Sequence, residues 1–268
     1  MKTWTKQQAL TYILLFALLL AALSRGLFNL IVGDLLDPSF EQIYEYQLRS
    51  MDRILFSLYW FGELPVIVFV IKLNRDQLQR LNVDRLFVFM LVTAGLIQLY
   101  KYPFNIFNIF AVIALVYAVQ ILFDKKVSFG VVDQNGLRMI LLIAGVLAGI
   151  TFCATGFFHN VKLELPDTEL FDRFLIQIVP GSIYEEAVYR GILYMFLTDL
   201  GVSKSKAFYI QAFAFWIVHM GNLFVSPSYF WLILPIHSLI YGYIAMRTKS
   251  LTSSAIAHLL YNTWALLS

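Results

Sequence analysis

The sequence predicts an all-α, polytopic transmembrane helical bundle with eight or nine spans, and three observations carry that prediction. Of the 268 residues, 60% are hydrophobic and 14% charged, where a soluble domain carries about a quarter charged residues. The mean hydropathy is +0.72. The apolar residues fall in long blocks, without the short alternating segments of an outer-membrane barrel.

A span needs about 20 apolar residues, with about 17–25 as the working range. By that measure helices fall near 9–32, 54–72, 86–102, 104–123, 137–158, 170–196, 207–225, 229–246 and 251–267. The first has the basic start and apolar stretch of a signal peptide, with Ala22 and Ser24 as candidate cleavage-site residues. The apolar run resumes after Arg25, so it reads as a retained helix. Between the first and second spans, Phe40, Ile43, Tyr44, Leu48 and Met51 recur at helical spacing in an acidic stretch, 33–52. That pattern suits a short interfacial helix. The second span carries Glu63, which pairs with Arg25 of the first or snorkels. Only Lys101 and Pro103 separate the third and fourth segments, hence eight or nine spans. The fifth contains the single Cys153 and is followed by His159 at the outer surface. One cysteine provides neither a disulfide framework nor a cysteine-based metal site.

The last four spans bear the unusual polar residues, which divides the chain into an accessory N-terminal set of helices, 1–165, and a C-terminal core that holds the candidate site, 166–268. Loop charges give the orientation. With a cytoplasmic N-terminus the inner loops hold most of the lysines and arginines, among them Arg75, Arg80, Arg85, Lys204, Lys206, Arg247 and Lys249. The outer loops hold only Arg49, Arg53, Lys101 and Lys162, as the positive-inside rule requires. The formal charge of +3 comes from these loops and gives no reason to expect a nucleic-acid partner. The expected partners are the lipid bilayer and a membrane-associated peptide or protein substrate.

Glu185, Glu186 and Arg190 lie in the middle of the sixth span. A charged residue at a helix centre costs about 2.5–3.5 kcal/mol on an insertion scale, so three without partners would cost about 7–10 kcal/mol. Such residues find partners or a watered cavity, and they mark function by default. Glu186 and Arg190 are four apart with the acid first, the favourable order for a structural ion pair. Glu185 is rotated by about 100° from Glu186 and stays unpaired in that scheme. The seventh span places Phe215 one turn from His219, and the ninth places His258 one turn from Asn262. Glu185, His219 and His258 stand 11, 12 and 7 residues from the inner ends of these spans. At 1.5 Å per residue those depths are about 17, 18 and 11 Å, near the midplane of a 30 Å core. His237, in the eighth span, reads as a packing histidine that can line the cavity.

One buried carboxylate, two imidazoles and an amide suit hydrolysis. A desolvated glutamate acts as a base with a histidine assisting, and amide and imidazole N–H groups stabilise an oxyanion. The alternative is zinc held by Glu185, His219 and His258, since two histidines and a glutamate form an accepted catalytic set. No cofactor is favoured over that alternative.

EEAVYRG, FWIVH and HLLYN, in that order, resemble the EExxxR, FxxxH and HxxxN motifs of the CPBP family, the CAAX proteases and bacteriocin-processing enzymes also called Abi proteins. YGYIAMRTKSLTSSAIAHLLYN resembles the glycine-rich helix, Thr-x-Ser-Leu turn and final histidine helix of that family. The resemblance covers about 170–268. It implies an intramembrane endopeptidase that processes the C-terminus of prenylated proteins or the leaders of peptide precursors. It assigns Glu185 to water activation, His219 to assistance, and His258 and Asn262 to oxyanion binding, with Glu186 and Arg190 in support. That family carries both a metalloprotease and a metal-independent glutamate-protease description, and the roles open to Glu185 and Asn262 without metal favour the latter. The alternative within the same fold is a non-catalytic scaffold or a bacteriocin-immunity protein. A proton-coupled transporter ranks last, because the paired half-helices of many transporter sites are missing. The basic loops at 204–206 and 247–249 lead to an expectation of cytoplasmic access to the site.

Overall fold

The computed structural model describes residues 5–34, 62–101, 108–124, 127, 179–223 and 227–267. These residues form helices joined by short turns, with no strand among them. We number the helices α1 (Lys6–Asp34), α2 (62–73), α3 (Arg85–Lys101), α4 (Asn108–Leu122), α5 (179–199), α6 (Lys204–Val218), α7 (Tyr229–Thr248) and α8 (Leu251–Leu267).

Two of the described helices, α7 and the Lys6–Ser24 part of α1, have the length and apolarity of a membrane span; α3 and α4 are apolar but shorter. The expected interfacial helix, the fifth span and residues Cys153 and His159 lie outside the described residues. The polarity of the bundle suits hydrocarbon. Ile109, Phe110, Ile113 and Val116 of α4, Ile13, Phe16 and Leu20 of α1, and Trp231, Leu232 and Ile236 of α7 point outward and are exposed. Glu63, Gln98, Ser182, Glu186, Arg190, His237 and His258 point inward and are buried. In lipid this distribution leaves polar groups to satisfy one another inside.

Each helix end in the C-terminal half follows from its sequence. Helix α5 stops in a glycine-terminated motif: Val202 N–H donates to the Leu197 carbonyl at 3.0 Å and Gly201 N–H to that of Thr198 at 3.1 Å, with Gly201 at φ +85°. This 6→1 and 5→2 pattern satisfies the last free carbonyls. Ser203 then caps α6 by accepting from Lys206 N–H, which fills one orphan donor. Helix α7 opens with a π-helical segment, Tyr229–Ile233, whose cause is Pro235. Leu234 N–H reaches back five residues to Tyr229, and proline has no N–H to offer Phe230 in turn. The freed Phe230 carbonyl instead accepts from the Trp216 indole at 2.8 Å, which ties α7 to α6.

The connection 74–84 decides where α8 begins. Asp84 is 3% exposed and caps α3 through Phe87 N–H at 2.9 Å. It also accepts from the hydroxyls of Ser250 and Thr252, each at 2.5 Å. Asn82, in the left-handed region at φ +54°, accepts from Leu251 N–H at 2.9 Å. A second tie joins Arg80 and Tyr12 to the Asp199 carboxylate at the end of α5. The turn between α7 and α8 is thus anchored to the N-terminal helices, and one apolar core cluster runs from α1 through α5 to Leu251 and Ala255 of α8.

Candidate active site

Residues 186–193 of α5, EAVYRGIL, form a second π-helical segment, and all eight are buried. Single π turns inside α-helices recur at functional sites. Glu185 stands at the junction just before it, and its side chain retains 18% exposure.

His219 and His258 flank that carboxylate. His219 Nε2 lies 3.6 Å from Glu185 Oε1, and His258 Nε2 lies 3.8 Å from Oε2. Both separations exceed a direct hydrogen bond and fit a bridging water. The opposite ring nitrogens are fixed. His219 Nδ1 is 2.7 Å from the Phe215 carbonyl, which can only accept, so Nδ1 carries hydrogen and Nε2 faces Glu185. His258 Nδ1 donates to Glu186 Oε1 at 3.0 Å. The partner of one ring nitrogen sets what the other presents.

The expected seventh span, 207–225, ends early. Helix α6 stops at Val218, and His219 is its C-cap at φ −90°, ψ 18°, followed by a 3-10 turn, Met220–Asn222. The Phe215–His219 spacing survives because the imidazole folds back onto its own last turn, 4.7 Å from the Phe215 ring.

Depth counted along each helix puts His258 well short of Glu185, yet the two meet. Leu251 resolves the discrepancy: it packs against Gly191, where an added Cβ would lie 3.1 Å from Leu251 Cδ1 and 3.3 Å from the Leu81 carbonyl. Gly191 is six residues beyond Glu185, about 9 Å along α5 at 1.5 Å per residue. His258 is seven beyond Leu251, about 10 Å back along α8 by the same rise. Helix α8 starts partway up the bundle, on the 74–84 connection, and so lifts His258 level with both carboxylates.

Glu186 does more than pair with Arg190. Its side chain is fully buried and accepts from the Ser254 hydroxyl, holds His258, and lies 3.5 Å from Arg190 Nε. Arg190 also donates to the Ser238 carbonyl at 3.3 Å and places its guanidinium carbon 4.0 Å from the Phe215 ring centroid. Ser254, four residues before His258 on the same face, was not singled out by sequence reasoning; its spacing from His258 is the signal that would have found it. Asn262 is half-buried and donates to the Ser182 hydroxyl at 3.1 Å. Glu63 sits elsewhere, buried in α2 near Tyr184 and Tyr189, and the Arg25 side chain lies outside the described residues.

These groups line a cavity of about 150 Å³ bounded by Gly181, Glu185, Phe215, His219, Tyr229, Leu234, His237, Tyr241, His258, Tyr261 and Asn262. Its lining comes from the parts of α5–α8 remote from the turns at 200–203 and 249–250. On the basic-loop side, Leu81, Val83, Asp84 and Leu251 are buried and are not part of the lining. The described lining lies away from the basic loops, whose end was the expected side of access.

The alternative to direct water activation is a metal held by Glu185, His219 and His258. The two imidazoles address opposite oxygens of Glu185, and no group of three histidine, cysteine, aspartate or glutamate residues among those described is placed to hold an ion. No step through zinc is derived from this geometry.

Residues 168–264 match the model of one family, described as type II CAAX prenyl endopeptidase Rce1-like. The resemblance read from the three motifs is thereby shown over this segment, which includes Glu185, Glu186, Arg190, His219, His258 and Asn262. The family is one of membrane-embedded CAAX-type proteases. No curated protein and no solved structure matches the chain.

Proposed function

We propose that this chain is a multi-pass intramembrane endopeptidase that hydrolyses a peptide bond of a membrane-associated protein or peptide precursor, with Glu185 as the residue that activates water. The observation that carries this reading is the placement of Glu185 between two imidazole Nε2 atoms, at 3.6 and 3.8 Å, on the wall of a cavity. A water held among these three groups loses a proton to Glu185 as its oxygen attacks the substrate carbonyl. The second N–H of Asn262, beside the one given to Ser182, faces the developing oxyanion, and His258 joins it in the ring form that carries hydrogen on Nε2 as well as on the Nδ1 held by Glu186. When the C–N bond breaks, the proton passes from Glu185 to the leaving amine, with His219 steadying the carboxylate. Glu186 orients His258, and Arg190 offsets the buried charge of Glu186. In this reading 166–268 is the catalytic core, 1–165 supports it, and no cofactor takes part.

Purified protein assayed against prenylated C-terminal peptides and leader-peptide precursors tests the proposal. Wild type cleaves one class with or without chelator, and Glu185→Ala cleaves neither. Loss of cleavage on chelation would restore zinc held by Glu185, His219 and His258. Equal cleavage by Glu185→Ala would remove the carboxylate from the mechanism. No cleavage of any peptide would favour the scaffold or immunity role.

A further inference from the structure

Outside the three motifs, two buried polar side chains line the cavity without a hydrogen-bond partner among the described residues, His237 and Tyr241; the imidazole is the more polar of the two. His237 of α7 is 3% exposed and lines the cavity, yet its ring nitrogens hydrogen-bond to no described residue. Its contacts are aromatic: the Tyr261 ring at 3.7 Å and 61° and the Tyr241 ring at 5.7 Å and 25°. A buried imidazole without a hydrogen bond is costly, and each such group in a native fold calls for an explanation.

Its level in the bundle supplies one. Tyr241, four residues after His237, stacks on His258 at 4.5 Å and 20°. Tyr261, three residues after His258, meets His237. Helices α7 and α8 are antiparallel, so the His237–Tyr261 layer lies one turn, about 5.4 Å, from the layer that holds His258. An extended peptide advances about 3.3 Å per residue. A chain with its scissile carbonyl beside Glu185, in the His258 layer, therefore passes His237 one or two residues away. A cavity of about 150 Å³ is the size that takes a benzene ring, so it accepts one substrate side chain. Because every peptide residue offers a backbone donor or acceptor, the backbone satisfies the imidazole whatever side chain fills the cavity.

On the reading that the site is a peptidase, we propose that His237 is a substrate-binding residue whose ring nitrogen hydrogen-bonds the peptide backbone one or two residues from the cleaved bond. No carboxylate among the described residues touches its ring, and its role here is to bind rather than to transfer a proton.

The test places an ester in turn at each backbone amide flanking the cleaved bond of a substrate peptide, which removes a donor and weakens an acceptor. Wild type is expected to lose about tenfold in kcat/KM at one position, one or two residues from the cleaved bond, the size of a lost hydrogen bond of about 1.4 kcal/mol. His237→Leu should show a tenfold higher KM on the all-amide peptide, an unchanged pH profile, and no further loss from that ester. His237→Gln, which keeps a hydrogen-bonding group, should restore most of the KM. An equal ester penalty in wild type and His237→Leu, or a KM unchanged in His237→Leu, would overturn this inference alone. Failure of wild type to cleave any peptide would overturn it together with the peptidase reading.

Discussion

Glu185 and Glu186 are adjacent, but their side chains are 18% and 0% exposed, and their neighbours differ accordingly. Glu185 meets two imidazoles at the cavity wall, while Glu186 is enclosed by Ser254, Arg190 and His258 Nδ1. The helical offset between them was legible in the sequence, as was the pairing of Glu186 with Arg190. The hold of Glu186 on His258 was not legible, because the two are 72 residues apart and only the fold sets that distance. A carboxylate at Nδ1 fixes the ring that faces the reacting atoms, as an aspartate does in serine proteases. Glu186→Gln should therefore lower kcat by about 10²–10⁴-fold, with KM nearly unchanged, when rates are normalised to folded protein. A drop smaller than tenfold would reduce Glu186 to a counter-ion for Arg190.

The helices of the C-terminal half were mostly legible, because apolar length and terminal residues such as Gly201 and Ser203 act locally. Their irregularities were less so. The π segment at Tyr229–Ile233 follows from Pro235, but its compensation by the Trp216 indole is a tertiary event. The starting height of α8 was likewise hidden, since Asp84 reads in sequence as one more polar loop residue and acts only by meeting Ser250 and Thr252. Asp84→Ala should cost about 2–4 kcal/mol by leaving two buried hydroxyls unpaired and α3 uncapped, visible as a lower Tm in detergent. Gly191→Val tests the same spacing from the other side. Its added atoms press on Leu251 and the Leu81 carbonyl, displace α8, and should cut kcat by more than tenfold, because an error of about 1 Å in a catalytic group costs about 10²-fold. Wild-type kcat in Gly191→Val would show that α8 height does not set the site.

At the scale of the whole molecule, loop charge and cavity direction bear on substrate delivery. The basic residues Lys204, Lys206, Arg247 and Lys249 flank the end where Leu81, Asp84 and Leu251 are buried, while the cavity is lined from the other half of α5–α8. If the positive-inside rule governs this chain, a cysteine at Lys249 is labelled only from the cytoplasmic side and one at Ser228 only from the opposite side. The reverse pattern would turn the cavity half toward the cytoplasm, where prenylated tails reside. Either way the chemistry rests on one carboxylate. The most direct measurement is the hydrolysis rate of a cleaved peptide by Glu185→Gln, which keeps the side-chain shape but cannot take a proton, at equal amounts of folded protein. The account predicts a rate lower by about 10⁴-fold or more, taking the loss of an essential triad member as the guide. A rate within tenfold of wild type would contradict it.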